Sequence, residues 1–120
     1  MGEAPDGGDR PLQLLFICSR NKWRSRTAEH LYDGFPGVVA RSAGTEFGAR
    51  QRVTSGLLGW ADWIFVMEVK HRDYLKRRFP DAIVDKRVVC LRIPDEFHFN
   101  DPDLVALLKA TLSPHVPVPE

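Results

Sequence analysis

Cys18 and Arg24 are separated by five residues in the stretch Cys18-Ser19-Arg20-Asn21-Lys22-Trp23-Arg24-Ser25, which lies between an apolar run and a helical pattern. A loop of that length can curl until successive backbone N–H groups converge on one point, an anion nest reinforced by the positive end of the following helix. A phosphate group suits such a nest. Arg20, Lys22, Arg24 and Arg26 put four cations into seven residues of a chain whose formal net charge is +1. Cations and a helix N-terminus both favour the thiolate form of a nearby cysteine, and the thiolate is the nucleophile toward phosphorus. Arg24 offers a planar fork that binds two oxygens at once, a geometry lysine lacks. Ser25 can donate a hydrogen bond to the thiolate. Cations in the first turn also oppose the helix dipole, which points to an anionic ligand offsetting them.

Hydrolysis further requires a proton donor for the leaving oxygen. The stretch Ile93-Pro94-Asp95-Glu96-Phe97-His98-Phe99 holds the candidates, with Asp95 first and Glu96, His98 and Asp101 competing. Asp101 is explained by a structural role, since Asp101-Pro102 reads as an N-cap followed by the first helical residue. His98, between two aromatic residues, reads as packed loop.

These residues need a scaffold. Leu12 to Cys18 is a short continuous apolar run, and after the polar loop Ala28, Leu31, Tyr32 and Phe35 recur at helical spacing. Val38 to Arg41 and Ile64 to Met67 read as strands, Lys70 to Phe79 as a charged helix with Leu75 and Phe79 on one face, and Val88 to Ile93 as a fourth strand. Leu104, Val105, Leu108 and Leu112 form the apolar stripe of a last helix. Strands alternating with helices imply a three-layer α/β/α arrangement with a parallel sheet. Ligands of such sheets bind beyond the carboxyl ends of the strands, where the loop after Cys18 must lie.

With 120 residues, 43% of them hydrophobic, the chain suffices for one core. The predicted domain spans 11–112, between a Gly- and Asp-rich segment, 1–10, expected to be flexible, and a Pro-broken C-terminal tail, 113–120. No apolar run approaches the roughly eighteen residues of a membrane span, and the first ten residues lack the apolar middle of a signal peptide. Position six is Asp6, where a myristoylation motif after Met-Gly requires Ser or Thr. Cys18 and Cys90, 72 positions apart, suit free thiols in a reducing compartment. The expectation is a cytoplasmic protein with no membrane partner, a monomer or weak dimer. The near-zero net charge gives no bulk reason to expect a nucleic acid. A nucleic-acid reading would rest on the basic loop with Trp23, Arg72, Lys76, Arg77 and Arg78, but a run such as Lys76-Arg77-Arg78 on a helix reads as a solvated face. Trp60 and Trp63 read as core or rim.

Taken together, the Cys-x5-Arg-Ser loop after the first strand, the segment Ser42-Ala43-Gly44-Thr45, the strand Ala61-Asp62-Trp63-Ile64-Phe65-Val66-Met67 and the loop Pro94-Asp95-Glu96-Phe97 resemble the low-molecular-weight protein tyrosine phosphatase family. The likeness covers nearly the whole domain in the right order, and it is strongest to a short branch of that family bearing Cys-Ser-Arg-Asn-x-Trp-Arg-Ser. The resemblance implies a four-stranded parallel sheet of order 2-1-3-4, Cys18 as nucleophile, Arg24 as phosphate ligand, Ser25 as thiolate partner, Asn21 as loop organiser and Asp95 as acid, then base. Ser19, Arg20, Lys22, Trp23 and Phe97 complete the expected substrate contacts, with a phosphate or phosphotyrosine-bearing substrate. No metal or organic cofactor is required by that chemistry.

The chain departs from the commoner family loop in three places. Arg20 replaces a glycine, so a left-handed backbone at that position would be strained; Trp23 replaces the second cysteine; and Arg26 replaces a proline. The segment between Thr45 and Ala61 is also shorter. Two other functions compete. Arsenate reductases that look like this fold need further resolving cysteines, and only Cys90 remains, in the core-like run Val88-Val89-Cys90-Leu91. A phosphoryl carrier or anion-binding module would use Cys18 and Arg24 without turnover, and would have no use for Asp95.

Overall fold

The computed structural model describes residues 10–120; the flexible segment expected over 1–10 thus lies, apart from Arg10, outside the described residues. Arg10 itself is fastened, its guanidinium meeting both carboxylate oxygens of Asp62 at 2.9 and 3.2 Å.

Four strands form one parallel sheet: β1 Leu12–Cys18, β2 Val38–Gly44, β3 Trp63–Val66 and β4 Arg87–Cys90, in the expected order β2-β1-β3-β4. Helices α1 Arg24–Leu31, α2 Ser55–Trp60, α3 Val69–Arg78, α4 Pro80–Ile83 and α5 Pro102–Leu112 connect and cover it. The register pairs Leu12 with Val38 through Cys18 with Gly44, and Leu14 with Trp63 through Ile17 with Val66. Alternation along each strand splits the apolar runs between two cores. Leu14, Phe16, Cys18 and Phe65 face a cluster completed by Ala28 and Tyr32 around α1 and by Leu104, Leu108 and Leu112 of α5. Leu15, Ile17, Ile64 and Val66 face the opposite cluster, with Leu58 of α2 and Leu75 of α3. Both faces of the sheet are therefore covered, which explains why β1 reads as a continuous rather than an alternating apolar run.

Several boundaries differ from the sequence reading. β2 runs on to Gly44, because Ser42, Ala43 and Gly44 keep pairing with β1. β4 ends at Cys90 rather than Ile93: Arg92 takes a positive φ of 57°, although Leu91 N–H and Ile93 N–H still donate to Val66 and Met67 carbonyls. The short helices α2 and α4 have no counterpart in the sequence reading; α2 is capped by Thr54, whose hydroxyl accepts from Leu57 N–H at 3.1 Å. The last helix begins as expected, with Asp101 accepting from Asp103 N–H at 2.8 Å and Pro102 following. Beyond it, residues 113–120 pack against the domain. Val116 is buried in the α1/α5 core, His115 lies against the Trp63 and Phe65 rings, and Tyr32 donates its hydroxyl to Pro117 O at 2.8 Å. Burial there pushes the Tyr32 hydroxyl up to about 12. Lys76, Arg77 and Arg78 are exposed in the last turn of α3, where cations complement the helix dipole. Trp63 and Trp60 sit half-buried at the rims of the two cores, with Arg87 and Arg41 over their rings. Among the described residues, no helix is long and apolar enough to cross a membrane.

Candidate active site

The loop from Cys18 to Trp23 leaves the carboxyl end of the central strand β1 and turns directly into α1, so its shape is set by what pins it from beneath. The segment after β2 does this. Thr45 N–H donates to Cys18 O at 3.0 Å, Glu46 N–H to Ser19 O at 2.8 Å and Arg50 N–H to Arg20 O at 3.1 Å. The loop passes so close to Gly44 that a Cβ there would stand 2.7 Å from Ser19 O and 2.9 Å from the Arg20 carbonyl carbon. Side chains at this crossing are excluded by contact, not by backbone conformation. Within the loop the left-handed residue is Asn21, with φ 54°, and not Arg20. Asparagine tolerates that region better than most residues, so the missing family glycine at position 20 costs no backbone strain.

Asn21 organises the centre. Its side-chain Nδ2 donates to Ser25 Oγ and to Ser42 Oγ, each at 2.8 Å. Ser42 in turn donates to Glu29 Oε1. Because Ser25 Oγ accepts from Asn21, its proton is directed at Cys18 Sγ, 3.0 Å away. A second donor reaches the sulfur from the Asn21 backbone N–H, at 3.2 Å. Cys18, 3% exposed, thus has its sulfur under two hydrogen-bond donors. Trp23 provides no side-chain cap for α1, and the first turn of α1 contains no acidic residue. Its N–H groups are left for an anion.

Arg24 is 2% exposed. Its Nη1 donates to Glu68 Oε2 at 2.5 Å and to Ile93 O at 2.8 Å, while Nε lies 3.7 Å from Asp95 Oδ1. Among the described residues no group hydrogen-bonds Nη2. Two anchors therefore hold one corner of the guanidinium and leave the Nε–Nη2 edge for two oxygens of a ligand. Burial works against the charged form of Glu68, yet the hydrogen bond and charge of Arg24 outweigh it and hold this carboxyl below the usual range. Glu68 also accepts from the His71 backbone N–H at the start of α3, and His71 Nδ1 accepts from Glu68 N–H at 3.1 Å. That leaves the proton of the imidazole on Nε2, which donates to Ser19 Oγ at 2.9 Å. Burial, followed by the charge of Arg24, pushes His71 down to about 4, so the ring is neutral near pH 7.

Asp95 arrives from the other side. The loop carrying it is laid over α1: Asn100 N–H donates to Thr27 Oγ1 at 2.8 Å, His98 meets Trp23 edge to face at 4.9 Å, and Arg26 lies over Phe99 at 4.9 Å. The cavity is lined by Cys18, Ser19, Arg20, Lys22, Trp23, Arg24 and Asp95. Asp95, with its side chain 60% exposed, stands at the rim, and the sulfur lies below.

Of the residues read from sequence, these seven come together around the cavity. Asn21 and Ser25 lie beneath it as the support of the sulfur. Phe97 does not line the cavity: it packs half-buried against the α1/α5 core, and the aromatic wall is Trp23. Cys90 packs with the cluster on the face of the sheet opposite to Cys18, and both cysteines are free thiols. Glu68, His71, Ser42 and Glu29 were missed as parts of the site. Ser42 lies in a segment that the sequence did single out; Glu68 and His71 carry no local signal, since their roles depend on β3 ending beside β1.

No protein-family model matches the chain, and no curated relative does. Solved structures do. The arginine phosphatase YwlE from Geobacillus stearothermophilus is 20% identical, with 89% of this chain and 99% of that chain covered and a TM-score of 0.66. The tyrosine phosphatase Wzb from Escherichia coli K30, in complex with phosphate, is 22% identical over 85% of this chain and 94% of that chain, with a TM-score of 0.69. SP-PTP, a low-molecular-weight protein tyrosine phosphatase from Streptococcus pyogenes, is 16% identical over 88% and 94%, with a TM-score of 0.70. The chain has the fold of these phosphatases.

Proposed function

We propose that this protein is a cysteine-dependent phosphate monoester hydrolase, a protein tyrosine phosphatase of the low-molecular-weight class, acting through a phosphocysteine. The observation that carries the reading is the convergence on one cavity of a doubly hydrogen-bonded Cys18 sulfur, the free edge of Arg24 and the Asp95 carboxyl. Ser19, Arg20, Lys22 and Trp23 contact the substrate, with Asn21 and Ser25 supporting the sulfur.

In the cycle, the Cys18 thiolate attacks phosphorus in line with the ester oxygen. The S–P bond forms as the P–O bond breaks, and protonated Asp95 delivers its proton to the departing alcohol. Arg24 and the N–H groups of the loop bind the equatorial oxygens. Asp95, now a carboxylate, takes a proton from water, which cleaves the S–P bond and releases orthophosphate and the thiolate. A variant of the arginine phosphatase neighbour carries a phosphorylated active-site serine, an ester analogous to the intermediate proposed for this chain.

Asp95 at the rim favours turnover over a phosphoryl carrier. Cys90 on the far face of the sheet speaks against a resolving thiol, and so against arsenate reduction. Two free thiols suit a cytoplasmic location. The test is hydrolysis of para-nitrophenyl phosphate under reductant by wild type, Cys18→Ser and Asp95→Asn. Cys18→Ser should lose turnover by at least about a thousandfold, and Asp95→Asn by roughly a hundredfold or more. Undiminished turnover in Cys18→Ser would sink the reading.

A further inference from the structure

Beside the catalytic cavity lies a second depression, lined by Arg20, Asn21, Lys22, Arg26, Gly48 and Arg50. The two share Arg20 and Lys22 as a common wall. Four of its six lining residues are cations, and no acidic residue lines it. Of these cations only Arg50 has an ion-pair partner among the described residues, although Glu29 and Asp33 line an adjoining depression with Arg26 and Arg50. Among the described residues Arg20 and Lys22 have no ion-pair partner, and Lys22 instead lies over the Trp23 ring at 4.8 Å. Arg26 covers Phe99, and Arg50 reaches only Glu29, at 3.9 Å. Arg26 follows Arg24 by two positions on α1, which turns the two side chains to different sides of the helix: one serves the catalytic cavity, the other the depression. Exposed Gly48 has no heavy atom within 4 Å of where a Cβ would stand, so the depression is open above it. In a chain of net charge +1, four cations in one place, only one of them paired and that at 3.9 Å, repel each other unless an anion joins them.

We propose that this depression is a second anion subsite, and that the preferred substrate carries a second phosphate group close to the ester being hydrolysed. The proposal rests on the phosphatase reading for its first phosphate. Arg20 and Lys22 lie between the two groups and touch both, Arg26 and Arg50 hold the second, and the shared wall makes the two sites parts of one binding surface. Specificity then resides in the spacing of two phosphates. The matching substrates are a peptide with neighbouring phosphorylated residues or a small bisphosphate such as a nucleoside bisphosphate.

The experiment compares kcat/KM within matched pairs at low salt: a phosphotyrosyl peptide against the same peptide with an adjacent phosphoserine, and a nucleoside monophosphate against the corresponding bisphosphate. Wild type should favour the doubly phosphorylated member of one pair by roughly tenfold or more, equivalent to about 1.4 kcal/mol. The preference should shrink as salt is raised toward physiological strength, where screening acts over about 8 Å. The double variant Arg26→Gln with Arg50→Gln should lose the preference, read as the ratio within each matched pair so that any general loss of turnover through the Arg26 contact with Phe99 cancels. Arg50→Gln alone, whose side chain lies outside the catalytic cavity, should reduce the preference with para-nitrophenyl phosphate turnover within about twofold of wild type. The pair that shows the effect identifies the source of the second phosphate. Absence of preference in both pairs, or a preference that survives the double variant, overturns the proposal. Calorimetric binding of the same pairs to Cys18→Ser separates the two readings: selective binding without any wild-type turnover would overturn the phosphatase reading alone, and turnover without selective binding would overturn the subsite alone.

Discussion

Glu68 accepts a hydrogen bond from Arg24 Nη1 at 2.5 Å while its carboxylate also caps the N-terminus of α3, so one side chain links the helix after β3 to the buried guanidinium after β1, the proposed phosphate clamp. Two variants separate its roles. Glu68→Gln removes the charge and one acceptor oxygen while keeping the other for Arg24, so inorganic phosphate should inhibit a few-fold more tightly, there being one less anion near the ligand. Glu68→Ala releases the buried guanidinium and the cap together. It should lose roughly 2 kcal/mol of stability and bind phosphate about tenfold more weakly. Denaturant titration and phosphate inhibition constants check this, and equal behaviour of the two variants would refute it.

Asn21 is both a left-handed residue and the donor that orders Ser25 and Ser42. Asn21→Gly keeps the backbone at ease and loses only the amide, whereas Asn21→Ala adds strain of roughly 1–2 kcal/mol. Both variants should reduce turnover, because the Ser25 proton is no longer aimed at the sulfur. Only the alanine variant should show the larger loss of stability. Wild-type turnover in Asn21→Gly would remove the network from the mechanism.

At Gly44 the close approach of the loop leaves no room for a methyl group. Gly44→Ala should displace Ser19 and Arg20, costing about 1–3 kcal/mol and lowering phosphate affinity. Gly48→Ala, with open space around its Cβ position, is the control and should stay near wild type in phosphate affinity. A Gly44→Ala protein as stable and as active as wild type would show that the loop yields at this crossing.

His71 sets part of the acid stability. Its neutral form is favoured in the folded state, at about 4, while an unfolded chain titrates near the ordinary value of 6.5. Between these values the unfolded state binds more protons, so the stabilisation is complete above about pH 6.5 and is lost progressively as the pH falls toward 4. The loss amounts to up to about 3 kcal/mol. The charges facing the ring are mixed, with Arg24 and Lys70 holding it neutral and Glu68 and Asp95 opposing them. Denaturation midpoints from pH 4 to 7 for wild type and His71→Asn test this; the variant should show the flatter profile, and parallel profiles would contradict the assignment.

Much of the site is legible along the chain. The loop is local: Cys18, Arg24 and Ser25 stand within eight positions, between an apolar strand and a helix start, so type and spacing alone point to the proposed anion nest. Asp95 follows the last strand in a parallel sheet, which places it on the same edge as the loop. The last helix was equally plain, because Asp101 and Pro102 mark its start and Leu104, Leu108 and Leu112 its buried face. What could not be read there is what depends on the order of strands in space. β3 lies beside β1, and only this adjacency brings Glu68 to Arg24 and His71 to Ser19 across 44 and 52 positions. Parallel pairing with β2 likewise brings Ser42 to Asn21, and the weak helices α2 and α4 form because the sheet offers them a surface. The tail shows the same division: Pro114 and Pro117 mark the end of the helix in sequence, but Val116 finds its buried place only once α1 and α5 have made one. Local chemistry was set by residues close in the chain; the orientation of that chemistry was set by burial and hydrogen bonds between residues far apart in it.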